Sequence, residues 1–453
     1  MTLPNYFIAD LPPEAEISAS MIHDACLTLK RNRERYLAGR STQSLLERLG
    51  EIAGNWLQPD YALRKLALER SPRDTGFSPA TLASGLDSFF SKITPENLNA
   101  LLVQELGHAE RLDRFVSTPV EERSGRSALA AGPTLLVHVA AGNLPLPALM
   151  SLVLGLIVRS AQFLKCASGA SLLPRLFAHS LYEVEPKLAA CLEIAEWRGG
   201  RAELEQPLFE HADRVTVTGT DETIAEIRRK LPARIRLLDY GQRASFGFIT
   251  RDLLTSHEAK QLAGKAAGDI AAWNQLGCLS PHLFYIEAGG VVSPEQFAEL
   301  LAAQMARLEE AEPRGPIPAA DAAAIASRRA FYEVRAASSP DTRLWQSDDS
   351  TAWTIVYEAD PGFQLSCLNR FVYVKPVKDL GEALHAAETV RGKVSTVAIA
   401  APENRAQEIA ITLARWGVAR LCPIGRMQQP SLLWRHDGRA SLGDLVTWID
   451  CER

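Results

Sequence analysis

The sequence predicts an α/β protein with two domains built on parallel sheets, a helical region ahead of them and a short terminal segment behind. Three observations carry this. Short apolar runs alternate with helical patterns from about residue 134, as βαβ units require. The same alternation resumes after Ser256. The chain has 453 residues, more than one hydrophobic core normally supports.

Residues 17–49 mix apolar and charged side chains at helical spacing, and Pro95-Glu96-Asn97 reads as a helix start before Leu98, Leu101 and Leu102. The pattern changes near Ser124-Gly125-Arg126. Residues 134–139 then read as a strand and 140–143 as a turn. The prolines at 145 and 147 open a helix running to about residue 160, because proline suits a first helical turn. Further strands are expected at 162–166, 192–197, 214–218 and 234–238, with helices between them. The second set comprises a helix 256–273, a turn around Cys278, a strand 282–286 and a helix 293–308. A proline-rich loop follows at 312–318, then strands at 354–357 and 371–374. A helix 380–390, a strand 395–399, a helix ending at Trp416 and a strand 418–422 complete the set. The apolar run 442–449 is a candidate to pair with the sheet edge of another subunit.

Composition narrows the function. An apolar fraction of 47% and a charged fraction of 23% are those of an ordinary globular protein. A net charge of -5 argues against a nucleic-acid surface, which needs a basic patch. The seven cysteines are scattered and odd in number and form no CxxC pair, so neither a disulfide framework nor a zinc site is expected. That usage fits a reducing cytoplasm. The start of the chain lacks a secretory pattern. The most apolar stretch, 144–158, is too short and too broken by proline to span a bilayer.

Four places carry candidate chemistry. The first is Trp273-Asn274-Gln275-Leu276-Gly277-Cys278, where a cysteine in a turn can meet a carbonyl as a nucleophile; the alternative is a buried structural thiol. Asn143, in Ala141-Gly142-Asn143-Leu144-Pro145 at the carboxyl end of a strand, either donates to a developing oxyanion or simply makes the turn. Lys165, in Lys165-Cys166-Ala167-Ser168, either holds a dinucleotide's ribose or phosphate or is a solvated lysine. Ser168 would not repel a 2′-phosphate, whereas a carboxylate there would favour the unphosphorylated ribose. Gly219 and Thr220 open a helix that either meets a pyrophosphate or is capped by Thr220. Asp239 is a candidate base or a turn aspartate. His138 and His282, on apolar strands, read as core histidines.

In this order the motifs resemble the aldehyde dehydrogenase superfamily: Asn143-Leu144-Pro145, Lys165, Thr218-Gly219-Thr220 and Cys278. Within it, the chain resembles the long-chain acyl-CoA (acyl-protein) reductases of bacterial luminescence operons. The added features are Gln275-Leu276-Gly277-Cys278-Leu279-Ser280-Pro281, Val372-Tyr373-Val374-Lys375-Pro376 and the stretch from Gly417 through Arg420 to Gly425. The resemblance implies an aldehyde dehydrogenase-like fold with two Rossmann-like domains. A helical region 1–124 would precede a dinucleotide-binding domain 125–250, a catalytic cysteine domain 251–430 and an oligomerisation segment 431–453. It implies NADPH-dependent reduction of a fatty acyl-CoA or acyl-carrier thioester to the aldehyde through an acyl group on Cys278. Asn143 would assist, Asp239 would stand where the superfamily has its base, and Lys165, Ser168, Gly219, Thr220 and Phe371 would hold the cofactor. An acyl-protein synthetase or acyltransferase partner and a homo-oligomer belong to the same expectation. Three departures count against the hydrolytic alternative, oxidation of aldehydes to acids. The usual Gly-Gln two residues before the cysteine is replaced by Gln275, with Gly277 directly before Cys278. The base motif has become Asp239-Tyr240-Gly241-Gln242, and the Glu-x-Phe of the nicotinamide ribose has become Asn369-Arg370-Phe371. A non-enzymatic acyl carrier is the remaining alternative.

Overall fold

The computed structural model describes residues 3–12 and 14–452; the outer limits of the expected first and last segments, 1 and 453, lie outside the described residues. The chain forms two compact units. One comprises 1–75, 82–241 and 431–453, the other 76–81 and 242–430.

The first unit contains β1 (Arg126–Ala131), β2 (Leu135–Val139), β3 (Ala161–Cys166), β4 (Leu192–Glu196), β5 (Arg214–Thr218) and β6 (Arg236–Tyr240). Strands β2 to β6 form a parallel sheet in the order β4-β3-β2-β5-β6. Every residue of β2 and β3 is buried, as expected of parallel strands covered on both faces. The expected helical region 1–124 does not stand apart from this sheet. Helix Ala19–Asn32 turns Ile22, Cys26 and Leu29 inward, one face at helical spacing. They share a core with Leu135, Val137, Phe163 and Trp197. Helix Pro95–Leu106 begins where the sequence suggests: Thr94 caps it, Pro95 follows, and Gly107 ends it at φ 78°.

The second unit contains β7 (Ala244–Ile249), β8 (Leu283–Glu287), β9 (Thr342–Gln346), β10 (Thr354–Glu358), β11 (Phe371–Val377), β12 (Val394–Ala400) and β13 (Arg420–Pro423). Their order is β13-β12-β7-β8-β11-β10-β9, parallel except for the β9–β10 edge. Strand β7 escapes a hydropathy reading because Ser245 and Gly247 interrupt it. Gly247 is obligatory: a Cβ there would lie 2.1 Å from the Phe284 ring. Helix Ala319–Ser338 and β9 were also unforeseen. The helix has only Ile325, Arg329 and Tyr332 buried along 20 residues, so its apolar stripe is thin.

The last strand, β14 (Thr447–Glu452), pairs antiparallel with β1 of the same chain, in the register Leu129↔Ile449. The terminal apolar run therefore has a partner within its own unit. Among the described residues no helix is long and apolar enough to cross a membrane.

Candidate active site

In the first unit the expected cofactor residues gather at the carboxyl ends of the parallel strands, where open α/β sheets bind ligands. Asn143 is exposed in the turn after β2. A Cβ at Gly142 in that turn would lie 3.2 Å from the Ala167 methyl, a tight contact that the neighbouring turn would have to ease by a few tenths of an ångström. A cleft runs along this edge between the turns after β2 and β3 and the end of helix Ala62–Thr75, lined by Gly142, Pro145, Gly169, Ala170, Leu173 and Asp74.

Lys165, at the end of β3, is only 6% exposed. Burial lowers its pKa, opposed by the charges of Glu205, Cys166 and Glu196. Its ammonium lies 5.9 Å from the centre of the Trp197 ring and has no hydrogen-bond partner among the described residues. A lysine whose stem is buried and whose ammonium makes no hydrogen bond among the described residues, beside this turn, fits a dinucleotide ribose. Ser168 is exposed and uncharged in the same turn, and the Glu196 carboxylate accepts the Gly169 N–H at 2.7 Å.

Thr220 is the N-cap of helix Asp221–Lys230; its hydroxyl accepts the Thr223 N–H at 3.2 Å. The first turn carries Asp221 and Glu222, which disfavour an anion there. Asp239 belongs to β6, and its carboxylate is taken by arginines, with Arg228 at 2.8 Å and Arg439 at 3.5 Å. His138 is a satisfied core histidine, with Nδ1 2.6 Å from Thr216 Oγ1 and Nε2 2.9 Å from Gln162 Oε1. Burial pushes its pKa down to about 4, so it is neutral at pH 7.

The thiol lies in the second unit, in the turn ahead of β8, at the amino ends of the strands. Cys278 is half-buried. Its carbonyl accepts from Ser245 Oγ of β7 at 2.7 Å. The expected helix 256–273 stops at Ala271, and Trp273, Asn274 and Gln275 follow at φ 53°, 49° and 64°. Three consecutive non-glycine residues in the left-handed region cost roughly 1–2 kcal/mol each, so tertiary bonds must hold them. Gln275, fully buried, donates to the Pro281 carbonyl at 2.7 Å and the Phe371 carbonyl at 2.8 Å. It also accepts the Phe371 N–H at 2.8 Å. Phe77, from the short 76–81 stretch, meets the Trp273 ring edge-on at 5.1 Å.

Two site residues were missed by sequence reasoning. Arg420, at the start of β13, is in electrostatic reach of Cys278, Cys422 and Asp269, and its guanidinium donates to the carbonyls of Met427 and Arg426, both at 2.7 Å. A cation there favours the thiolate. Its only sequence signal was membership of the late Gly417–Gly425 motif. Asp269 accepts the N–H groups of Gly425 at 2.6 Å and Met427 at 2.9 Å and thereby fixes the same loop, while Gln428 reaches Ser280 at 2.8 Å. Phe371, expected near the cofactor, is fully buried in the core of the second unit, where its backbone rather than its ring meets the thiol turn. Cys26, Cys166 and Cys191 are buried, and desolvation pushes each thiol up to about 12, which suits packing rather than attack.

The family described as acyl-CoA reductase (LuxC) matches residues 37–448. The chain is 22% identical to the long-chain acyl-protein thioester reductase of Vibrio harveyi over 97% of its own length and 88% of that protein. It is 24% identical to the reductase of the same description from Photorhabdus laumondii, over 89% and 80%. A third, from Aliivibrio fischeri, is 25% identical over 70% of this chain, and the match spans only 64% of that relative. Among solved structures, a putative aldehyde dehydrogenase from Anabaena variabilis superposes with a TM-score of 0.70 at 15% identity, covering 96% of this chain and 93% of that one. A lactaldehyde dehydrogenase gives 0.68 at 13% identity, over 97% and 92%. The fold is that of the aldehyde dehydrogenases, as the motifs suggested.

Proposed function

From the premise that this chain belongs to the acyl-CoA reductase (LuxC) family, we propose that it reduces a long-chain acyl thioester, on CoA or a carrier protein, to the fatty aldehyde. The observation that carries this reading is a half-buried thiol on a backbone-held turn with the Arg420 cation in reach. The Cys278 thiolate attacks the acyl carbonyl, the bond to the donor sulfur breaks, and the departing thiolate takes up a proton. When bound, a nicotinamide dinucleotide would supply the hydride that adds to the carbonyl of the Cys278 thioester. Asn143 donates to the oxyanion that forms, and its collapse breaks the bond to Cys278 and returns the thiolate.

NADPH is the proposed donor because Ser168 leaves the turn after β3 without a carboxylate of its own, while Glu196 is committed to the Gly169 N–H. Lys165 would hold the ribose end, and Gly219 and Thr220, at the end of β5, would touch the dinucleotide through contacts that place no phosphate on the acidic first turn of helix Asp221–Lys230. The hydrolytic alternative needs a free base, and Asp239 is occupied by Arg228 and Arg439. A homo-oligomer, an acyl-protein synthetase or acyltransferase partner and a cytoplasmic setting belong to the same proposal.

The test is trapping. Radiolabelled hexadecanoyl-CoA, with no reductant present, should leave a hydroxylamine-labile label on the Cys278 peptide, and Cys278→Ala should abolish both label and NADPH oxidation. A Cys278→Ala protein that still acquires the label overturns the assignment.

A further inference from the structure

A second left-handed run faces the problem of the first. Leu368, Asn369 and Arg370 have φ of 59°, 53° and 68°, immediately ahead of β11. Arg370 is anchored away from the thiol turn, its buried guanidinium donating to Glu309 at 2.7 Å and to the Glu312 carbonyl at 3.1 Å. Arg314 holds the Asn369 carbonyl at 3.1 Å. The only side chain described as bonding both runs' ends is Gln275. Its carboxamide belongs to the first run, and it makes a two-way exchange with the backbone of Phe371, the residue that ends the second. It reaches further to Ser366 Oγ at 3.2 Å, which lies 3.0 Å from His282 Nδ1. His282 Nδ1 accepts the Ser366 N–H at 3.1 Å, so Nδ1 is the unprotonated nitrogen. Burial keeps this histidine neutral, with its pKa pushed down to about 4.

We infer that Gln275 is a positioning residue: its carboxamide latches the Cys278 turn to segment 366–371 so that two strained backbone runs hold the thiol in a single orientation. A single amide is suited to this, since it both donates and accepts. Neither a carboxylate nor an ammonium could satisfy the Phe371 N–H and the Phe371 carbonyl together. Two opposed strained runs have many relaxed alternatives once the link is gone, and displacing a nucleophile by about 1 Å can cost roughly 100-fold in rate. The inference rests on the reading of Cys278 as nucleophile, but the latch itself can be measured without turnover.

The experiment compares Gln275→Asn and Ser366→Ala with the wild-type full-length chain. Hydrogen exchange at the Phe371 amide, whose N–H is shared between Gln275 Oε1 at 2.8 Å and the Leu368 carbonyl at 3.1 Å, reports the latch, and steady-state reduction of hexadecanoyl-CoA reports its effect. In Gln275→Asn, which is one methylene too short, Phe371 exchange should rise about 10-fold or more, and kcat should fall about 10- to 100-fold. KM should stay within roughly 2-fold, the signature of lost orientation rather than lost binding. Alkylation of Cys278 by iodoacetamide, which needs no fixed carbonyl, should change by less than about 3-fold. Ser366→Ala, which leaves the Phe371 exchange of bonds in place, should show a smaller kcat loss of about 3- to 10-fold and serves if Gln275→Asn does not fold. Faster Phe371 exchange with unchanged kcat overturns the positioning role. So does a kcat loss that only tracks the folded fraction, or a wild-type kcat in Ser366→Ala. Failure of the acyl label to map to Cys278 in the wild type would instead sink the functional reading, and the exchange data would stand.

Discussion

The two units solve the placing of functional groups in opposite ways. The first presents Asn143, Lys165, Ser168 and Thr220 at the carboxyl ends of regular strands, where turn and cap geometry does the work and strain is little needed. The second presents Cys278 at the amino ends of its strands, on a turn bracketed by residues 273–275 and 368–370 in the left-handed region. A dinucleotide is long and binds through many contacts, so an ordinary sheet edge suffices. As the proposed nucleophile, Cys278 has to be aimed, and the backbone that would aim it is held by the rest of the unit against its preference.

Gln162→Ala in the first unit removes the partner of His138 Nε2 and the donor to the Leu152 carbonyl, and leaves a void. We expect a loss of about 2–4 kcal/mol in denaturant unfolding. A loss below about 1 kcal/mol would show that the first unit does not depend on this network. The second prediction concerns acid. His138 and His282 are both held neutral, with pKa values of about 4 against an ordinary 6.5. Their folded values are depressed, so the stability they contribute is intact above pH 6.5 and drains away as pH falls towards 4. Peptide-resolved hydrogen exchange should show both units loosening in that window, and His138→Gln should flatten the response of the first unit alone.

A third prediction bears on the thiol. Arg420→Gln should slow iodoacetamide labelling of Cys278 at pH 7 by about 3- to 10-fold, while Arg420→Lys retains most of the rate. Equal rates in all three proteins would remove the cation from the site. Smaller again is the effect of relieving strain. The Asn369 Oδ1 atom is buried with no partner in the structure, at a positive φ. Asn369→Gly should therefore stabilise the second unit by about 1 kcal/mol, read from its unfolding midpoint, whereas a glycine in β2 should destabilise the first. The smallest effect is expected at Asp239→Asn: reductase activity within about 2-fold of wild type, because a general base would contribute 100-fold or more.

What the sequence revealed and what it hid divide along the same line. The alternation of strands in the first unit was legible because β2, β3 and β5 are short buried runs between clear turns. Cys278 was legible because a glycine-flanked cysteine in a turn is unusual. Hydropathy says nothing about φ, so the left-handed runs were invisible, and helix 256–273 was extended two residues too far. Arg420 and Asp269 are ordinary residues whose meaning comes from long-range partners: Cys278 for Arg420, and the N–H groups of Gly425 and Met427 for Asp269. Phe371 illustrates the limit of motif matching. The motif leads to this residue as a cofactor contact, whereas its ring packs in the core and its amide and carbonyl bond Gln275.

The six residues 76–81 leave the first unit, join the second and return. A fragment excised as 242–430 would therefore contain the whole seven-stranded sheet yet lack Phe77, the ring set edge-on against Trp273. Cutting the second unit at that boundary would strip away the ring packed against Trp273, so a fragment of it must carry that short thread along.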